Sequence, residues 1–384
     1  MTKNKYIPLH EPYFDKSEKN IVKDIISSTY VSTVGPYVNK FEKNFSKFTK
    51  SKYCVATNSG TSALHLACKI IELGKNDEVL VPTLTFIAPI NAVKYCSASP
   101  VFFDCDDNLN MNINDVIFFL KNKTFIKKNK KYNHKTGKRL KAIIIVHLYG
   151  SGTELTKELL YECNRYNITI IEDAAESVGA KIKYKTENKH IGTTGTIGCF
   201  SFNGNKIITT GAGGALITNN LKLYKKAKHL ANQAKVNNSY IHDEIGFNYG
   251  MTNLQAGIGI KQLLKIKNLI KKKKINYNIY SKFLNKSKKS QILSFPKNIL
   301  PNYWLNIINI NNEEIKIKKI INNFQKNKIT VRQIWHPVHK LLPYQKNESY
   351  NITKADRLYE TCLCLPSSAN LKLNEIKKIC NLLK

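Results

Sequence analysis

Residues 141–177 read KAIIIVHLYGSGTELTKELLYECNRYNITIIEDAAES, and the architecture follows from them. Ala142 to Val146 is apolar at every position. A strand with one wet face would alternate, so this run predicts a strand covered on both sides. TKELLYECNRYN, residues 156–167, is helical in character, and a second uniform run, ITII, follows at 168–171. Strand, helix and strand in that order give a β-α-β unit with parallel strands. In sheets built this way ligands collect at the carboxyl ends of the strands. Asp173 and Glu176 stand just beyond the second strand.

The same alternation extends from about Lys52 to Asn219. YCVATNSG, DEVLVP, PVFFDCD, GCFSF and GGALIT are short strand-like runs, and TSALHLACKIIEL is apolar at helical spacing. The expected fold is α/β, a mainly parallel sheet flanked by helices. Polar clusters follow the strands, as in TNSGT, PTLTF, HLYG, EDAAES and NGNK, which predicts one shared site. After Tyr249 the stretch LQAGIGIKQLLKIKNLIKKKK predicts a long helix, and from about residue 275 the pattern becomes a smaller α+β one. The expected division is a large domain over 1–260 and a small C-terminal domain over 261–384. Residues 121–140, KNKTFIKKNKKYNHKTGKRL, are expected to be a basic surface insertion.

Composition narrows the classes. The net charge of +34 comes from 61 Lys+Arg against 27 Asp+Glu, and such a field attracts nucleic acid, acidic membranes or phosphorylated substrates. The excess is nearly all lysine, amid abundant asparagine and isoleucine, so compositional drift is the favoured explanation. No helix-turn-helix or zinc spacing accompanies it, and no nucleic-acid partner is expected. The nine cysteines contain no CxxC pair, and their odd number fits a disulfide framework poorly. No metal site is expected. The N-terminus lacks an apolar signal core and no apolar run is long enough to span a bilayer. Together these features predict a cytoplasmic chain with no membrane partner.

Four segments carry candidate chemistry. NSGTS puts Ser59, Gly60, Thr61 and Ser62 at a helix start, where free N–H groups and the helix dipole attract an anion. Ser and Thr there also serve as plain caps. Asp173 is expected in the strand-end crevice, where a buried carboxylate needs a positive partner such as a protonated ring nitrogen. Capping of the next helix is its ordinary alternative. Lys206, in SFNGNKIITTGAGG (201–214), can form a covalent bond with an aldehyde once its amine is deprotonated. Among so many lysines it also reads as one more solvated charge. Ser201 and Asn203 precede it and are placed to hold a phosphate. Phe86, in PTLTF, can stack on a flat ring or simply pack.

In sequence order, NSGTSALHLA, PTLTFIAPINAV, VHLYG, IIEDAAESVGA, IGTTGTIGCFSFNGNKIITTGAGGALITN and GFNYGMTNLQAGIG resemble the DegT/StrS aminotransferases over almost the whole chain. The resemblance implies a pyridoxal 5'-phosphate enzyme of fold type I that aminates keto sugars on nucleotides. It also implies a homodimer with shared active sites. It makes Lys206 the cofactor-bearing lysine and proton carrier, Asp173 the partner of the pyridine nitrogen, and Glu176 a neighbour of the ring hydroxyl. Gly60, Thr61, Ser201 and Asn203 would surround the phosphate, Phe86 would stack on the ring, and Asn248 would reach the partner's cofactor. TYVSTVGPYVNKFE, NHKTGKRLKAIIIVHLYG and NYWLNIIN look like the branch that makes 4-amino sugars for bacillosamine and legionaminic acid. That likeness implies a UDP-linked 4-keto-6-deoxy-N-acetylhexosamine as substrate and glutamate as donor. Tyr30 and Ser32 would then lie near the sugar, and Trp335, His336 and His339 match a segment near the substrate entrance, with C-terminal packing as their ordinary alternative. A GDP-linked 4-keto-6-deoxymannose or a 3-keto nucleotide sugar is the alternative within the class, and a regulatory or nucleic-acid-binding protein is the alternative outside it. Gly250 departs from the pattern, standing where relatives carry arginine.

Borohydride reduction of the purified protein should fix the cofactor on a single peptide, the one holding Lys206. Mass spectrometry placing the label on any other lysine would reject that role.

Overall fold

The computed structural model describes residues 6–237, 239–284, 290–310 and 317–383. Seven strands make the body of its main sheet: β1 (Tyr53–Thr57), β2 (Asp77–Pro82), β3 (Ser99–Phe103), β4 (Arg139–Val146), β5 (Thr169–Asp173), β6 (Ile197–Ser201) and β7 (Gly214–Thr218). They lie in the order β1-β7-β6-β5-β4-β2-β3. β6, β5, β4, β2 and β3 are parallel. β7 is antiparallel to both neighbours. The reason lies in the connection. Residues 202–213 form a loop without a helix, and a parallel return needs a crossover, usually helical. The chain therefore folds straight back, and that loop carries Lys206.

β4 shows why its sequence lacks alternation. Ala142, Ile144 and Val146 join one buried cluster with Ala63, Leu66, Ala92 and Val93. Ile143 and Ile145 join another with Val116, Phe119, Leu120 and Leu159. Successive side chains point to opposite faces, and helices cover both.

A second, four-stranded antiparallel sheet is built from Ser290–Ile292, Asn306–Ile310, Cys362–Leu365 and Arg332–Gln333. Its core includes Ile308, Ile310, Leu363, Leu365, Ile376 and Ile379. The helix Asn253–Leu284 joins the two regions and spans about 48 Å at 1.5 Å per residue. The expected boundary after residue 260 falls inside this helix. Ser349–Tyr350 returns to pair with β3 in the main sheet, so the C-terminal chain contributes to both sheets.

The insertion 121–140 is more ordered than a surface loop. Thr124–Lys127 and Lys130–Asn133 form a hairpin. Two buried side chains anchor it. Asn133 donates to Glu78 at 2.9 Å and to Glu348 at 2.7 Å. Lys131 pairs with Glu162 at 3.3 Å and donates to the Leu120 carbonyl. Charge density hid these two among the solvated lysines. All nine cysteines are buried and none is in a disulfide. No described helix is long and apolar enough to cross a membrane.

One buried carboxylate ties β5 to its surroundings. Glu172 accepts from His147 Nε2 at 2.8 Å, Gly192 N at 3.0 Å, Thr194 N at 2.7 Å and Gly195 N at 2.5 Å. Burial alone would push its carboxyl up. The hydrogen bond and charge of His147, with the Gly195 and Gly192 amides, outweigh burial and hold it below the ordinary value of 4.5. A depressed carboxyl stabilises the fold above its ordinary value and loses that contribution as pH falls through the lower folded value. Glu172→Gln should cost about 3 kcal/mol in urea unfolding at neutral pH. The gap from the wild type should stay constant above about pH 5 and shrink below it. A pH-independent gap would show that the charge is not what matters.

Candidate active site

The carboxyl ends of β5 and β6, the start of the helix Gly60–Ile70 and the loop after β6 enclose a cavity of about 400 Å³. Gly60, Thr61, Phe86, Asp173, Glu176, Ser201, Asn203, Lys206 and Trp335 all line it. These nine come from segments spread over more than 270 residues of chain, and the fold brings them to one place.

The anion end is built by the helix start. Ser59 caps it, accepting from Ser62 N at 3.0 Å. The Ser62 hydroxyl turns to Asn58 at 2.6 Å and to Ser59 at 2.8 Å, so it is engaged within the cap, and Ser62 does not line the cavity. Among the described residues, the Gly60 and Thr61 N–H groups have no hydrogen-bond partner, which is the arrangement that binds phosphate. Glycine is required here by contact. A Cβ at Gly60 would lie 2.7 Å from Ser201 Cβ.

The cavity lining also carries two carboxylates. Asp173 is 4 % exposed, and its side chain accepts one hydrogen bond among the described residues, from Ala175 N at 3.0 Å. Burial pushes its carboxyl up, against the opposing pull of the Ala175 amide and the Lys206 charge. Glu176 accepts from Tyr149 N at 2.7 Å. Burial raises it too, while Lys206 opposes the rise. Two buried carboxylates this poorly compensated call for a cationic, hydrogen-bonding guest.

Lys206 lies between them and an aromatic wall. Its Nζ is 3.7 Å from Glu176 Oε1 and 4.2 Å from the centre of the Trp304 ring. Trp304 is fixed by its indole N–H to Asn205 O at 2.7 Å and by its backbone N–H to Asn302 Oδ1 at 2.8 Å. Asn302 also donates to the Glu176 and Val178 carbonyls, both at 2.9 Å. Tyr149 stacks between Trp304 and Trp335 at interplanar angles of 10° and 15°. Phe86 follows, 5.2 Å from Trp335. The Trp335 indole N–H approaches Glu176 without reaching hydrogen-bond geometry.

Other expected residues lie elsewhere. Tyr30 and Ser32 are exposed, and their carbonyls accept from Asn253 at 2.7 and 2.6 Å. His336 packs on Tyr359 and bonds to the Pro337 carbonyl at 3.0 Å. His339 bonds to Thr83 Oγ1 at 2.7 Å. Asn248 is exposed and outside its own chain's cavity, its carbonyl held by Asn58 Nδ2 at 3.0 Å. Arg332 and Asn205 line the cavity, while Trp304 and Tyr149 shape its wall. The sequence reading assigned none of these four. NYWLNIIN and HLYG were noticed as motifs, and their aromatic residues were the available signal.

Gly60→Ala should weaken uptake of pyridoxal phosphate about tenfold, the cost of an extra methyl in a close-packed contact. Uptake of unphosphorylated pyridoxal should change less. Equal losses for both, measured by equilibrium titration, would separate Gly60 from the phosphate.

Comparison with known proteins agrees with this geometry. The model of the DegT/DnrJ/EryC1/StrS aminotransferase family matches residues 12–384. The chain is 35% identical to the GDP-perosamine synthase of Escherichia coli O157:H7, covering 98% of this chain and 97% of that protein. It is 33% identical to the GDP-perosamine synthase of Vibrio cholerae, covering 98% of each. Among solved structures, the Helicobacter pylori aminotransferase PseC, involved in pseudoaminic acid biosynthesis, superimposes with a TM-score of 0.86. That match covers 99% of this chain and 98% of PseC at 23% identity, and it speaks for the fold. By the family model that spans it and these relatives, the chain belongs to the DegT/DnrJ/EryC1/StrS aminotransferase family.

Proposed function

We propose that this chain transfers an amino group from glutamate to the keto carbon of a 4-keto-6-deoxy sugar carried on a nucleotide, using pyridoxal 5'-phosphate in a homodimer. The observation that carries the reading is the convergence of Lys206, Asp173 and the helix start at Gly60 on one cavity. The residues fit the cofactor. The free N–H groups of Gly60 and Thr61, with Ser201, would hold its phosphate. Asp173, buried with one hydrogen bond, would face its ring nitrogen. Phe86 would cover the ring.

When bound, the cofactor supplies an electron sink for the carbanion formed at the donor's α-carbon. The protein does the rest. Asp173 supplies the negative charge that keeps a ring nitrogen protonated. Lys206 carries the proton between the reacting carbons, and Trp304 keeps its amine on the Glu176 side of the cavity. Tyr149 fixes Glu176 through its backbone N–H.

For the acceptor, the GDP-perosamine synthases that align over nearly all of this chain favour a GDP-linked 4-keto-6-deoxyhexose. The resemblance of TYVSTVGPYVNKFE and NYWLNIIN keeps the UDP-linked N-acetylhexosamine as second reading. A homodimer is supported by the surface. Tyr240, Ile241 and Ile245 are 92%, 66% and 86% exposed and lie on the segment leading to Asn248.

The test is to incubate the protein with glutamate and each of several GDP- and UDP-linked 4-keto-6-deoxy sugars, reading products by mass and NMR. A 4-amino product from the GDP sugar is expected, and Lys206→Ala should abolish it. Turnover of UDP sugars alone would move the assignment to the second reading. No amination of any keto sugar would overturn the proposed function.

A further inference from the structure

One fully buried amine has no part in the transfer proposed above. Lys273, on the long helix Asn253–Leu284, is 2 % exposed. Among the described residues no carboxylate pairs with it. Burial alone pushes its amine down from 10.5 to about 7. An apolar side chain would fill the same space without that cost. The contacts of the amine say what it does instead. It donates to the backbone carbonyl of Trp304 at 3.1 Å and to that of Ser367. We propose that Lys273 is a positioning residue for Lys206, acting through Trp304, an inference that rests on Lys206 carrying the cofactor.

The helix face that bears Lys273 is a row of donors. Asn276 and Tyr280 follow three and seven residues on, along the same face. They donate to the carbonyls of Ser368 at 3.0 Å and Pro366 at 2.9 Å. Those two side chains hold the segment 366–368. Lys273 holds it as well and also reaches across to Trp304, whose carbonyl has no other donor among the described residues. Trp304 is therefore held at three points. Its N–H is on Asn302 Oδ1 at 2.8 Å, its indole N–H is on Asn205 O at 2.7 Å, and its carbonyl is on Lys273. The third bond fixes the peptide plane after the tryptophan, and with it the backbone from which the ring projects. Two contacts then carry that position to Lys206. The ring lies 4.2 Å from its Nζ, and the indole N–H bonds the carbonyl of the residue just before it. A tilt of Trp304 moves the amine and its backbone together. Misplacing a reacting group by about 1 Å can slow its reaction roughly 100-fold. Lys273 does not line the cavity, so the tryptophan is its route to the chemistry.

The experiment compares the whole chain with its Lys273→Met variant, which keeps the volume and loses the donors. Stopped-flow absorbance follows pyridoxal phosphate attaching to Lys206 in cofactor-free protein, a reaction that needs neither amine donor nor sugar. Attachment should slow about 10- to 100-fold, and kcat should fall likewise while KM for glutamate stays within about threefold. The chain has two tryptophans, so in a Trp335→Phe background Trp304 is the sole indole, and its fluorescence anisotropy should drop when Lys273 is replaced. The urea midpoint should move little, since losing a donor to two carbonyls and removing a buried amine oppose each other. In a Trp304→Leu background, Lys273→Met should slow attachment less than about threefold further. Should Trp304→Leu fail to fold, the anisotropy decides the route. Attachment and anisotropy equal to wild type in Lys273→Met would overturn the proposal. So would a lowered urea midpoint with weaker cofactor binding and an unchanged attachment rate, which would make Lys273 a packing residue. The two levels of inference fail differently. Wild-type protein that loads Lys206 yet aminates no keto sugar would sink the transfer, and the attachment rates would still decide the role of Lys273. Wild-type protein that aminates normally, with Lys273→Met loading and turning over as fast, would sink the positioning role alone.

Discussion

A buried carboxylate with few compensating partners is expensive, and Asp173 is held in that position by the sheet itself. It ends β5, its neighbour Glu172 is locked by four donors, and its own hydrogen bond comes from the turn that follows. The backbone cannot rotate the side chain into water without dismantling the Glu172 network. The fold therefore maintains a poorly compensated carboxylate in the cavity lining, which a ligand with a positive ring nitrogen would relieve. Selection of the guest begins with that imbalance.

The position of Lys206 follows from strand direction. A helical crossover between β6 and β7 would have carried the chain away from the strand ends. The direct return keeps residues 202–213 at the carboxyl edge, beside Asp173 and the helix start at Gly60. Trp304 then limits where the amine can go, and Asn302 fixes Trp304 and the Glu176 backbone together. Distant parts of the chain thus adjust one nitrogen. The segment leading into the second sheet supplies this clamp, and the sheet itself brings Arg332 to the cavity lining.

Much of this was legible in the sequence for a physical reason. Uniform apolar runs such as Ala142–Val146 report a strand with two covered faces, and turn residues after strands report where a site gathers. The residues assigned to the cofactor sit at strand ends, at a helix start or in the turns beside them. The antiparallel β7 was less legible, since strand direction depends on the length and helicity of a connection. Trp304, Tyr149 and Arg332 were missed because their roles arise from tertiary packing between segments far apart in the chain. Tyr30, Ser32, His336 and His339 were proposed from local motif likeness, and none of them lines this cavity of the single chain. The buried Lys131 and Asn133 show the same limit. In a lysine-rich hairpin, no local pattern separates an anchoring lysine from a solvated one.

The charge of +34 belongs to encounter more than to recognition. Spread over a surface, it raises the local concentration of any polyanion and so draws in nucleotide sugars and dicarboxylates alike. The cavity distinguishes them with far fewer groups: two cations, two carboxylates and a row of aromatic rings. Salt screens the outer field within about 10 Å at 0.1 M, whereas groups shielded inside a pocket are screened much less. Long-range attraction and short-range choice are thus carried by different lysines and arginines. A chain can therefore look like a nucleic-acid binder by composition while the chemistry proposed for it rests on Lys206 and Asp173.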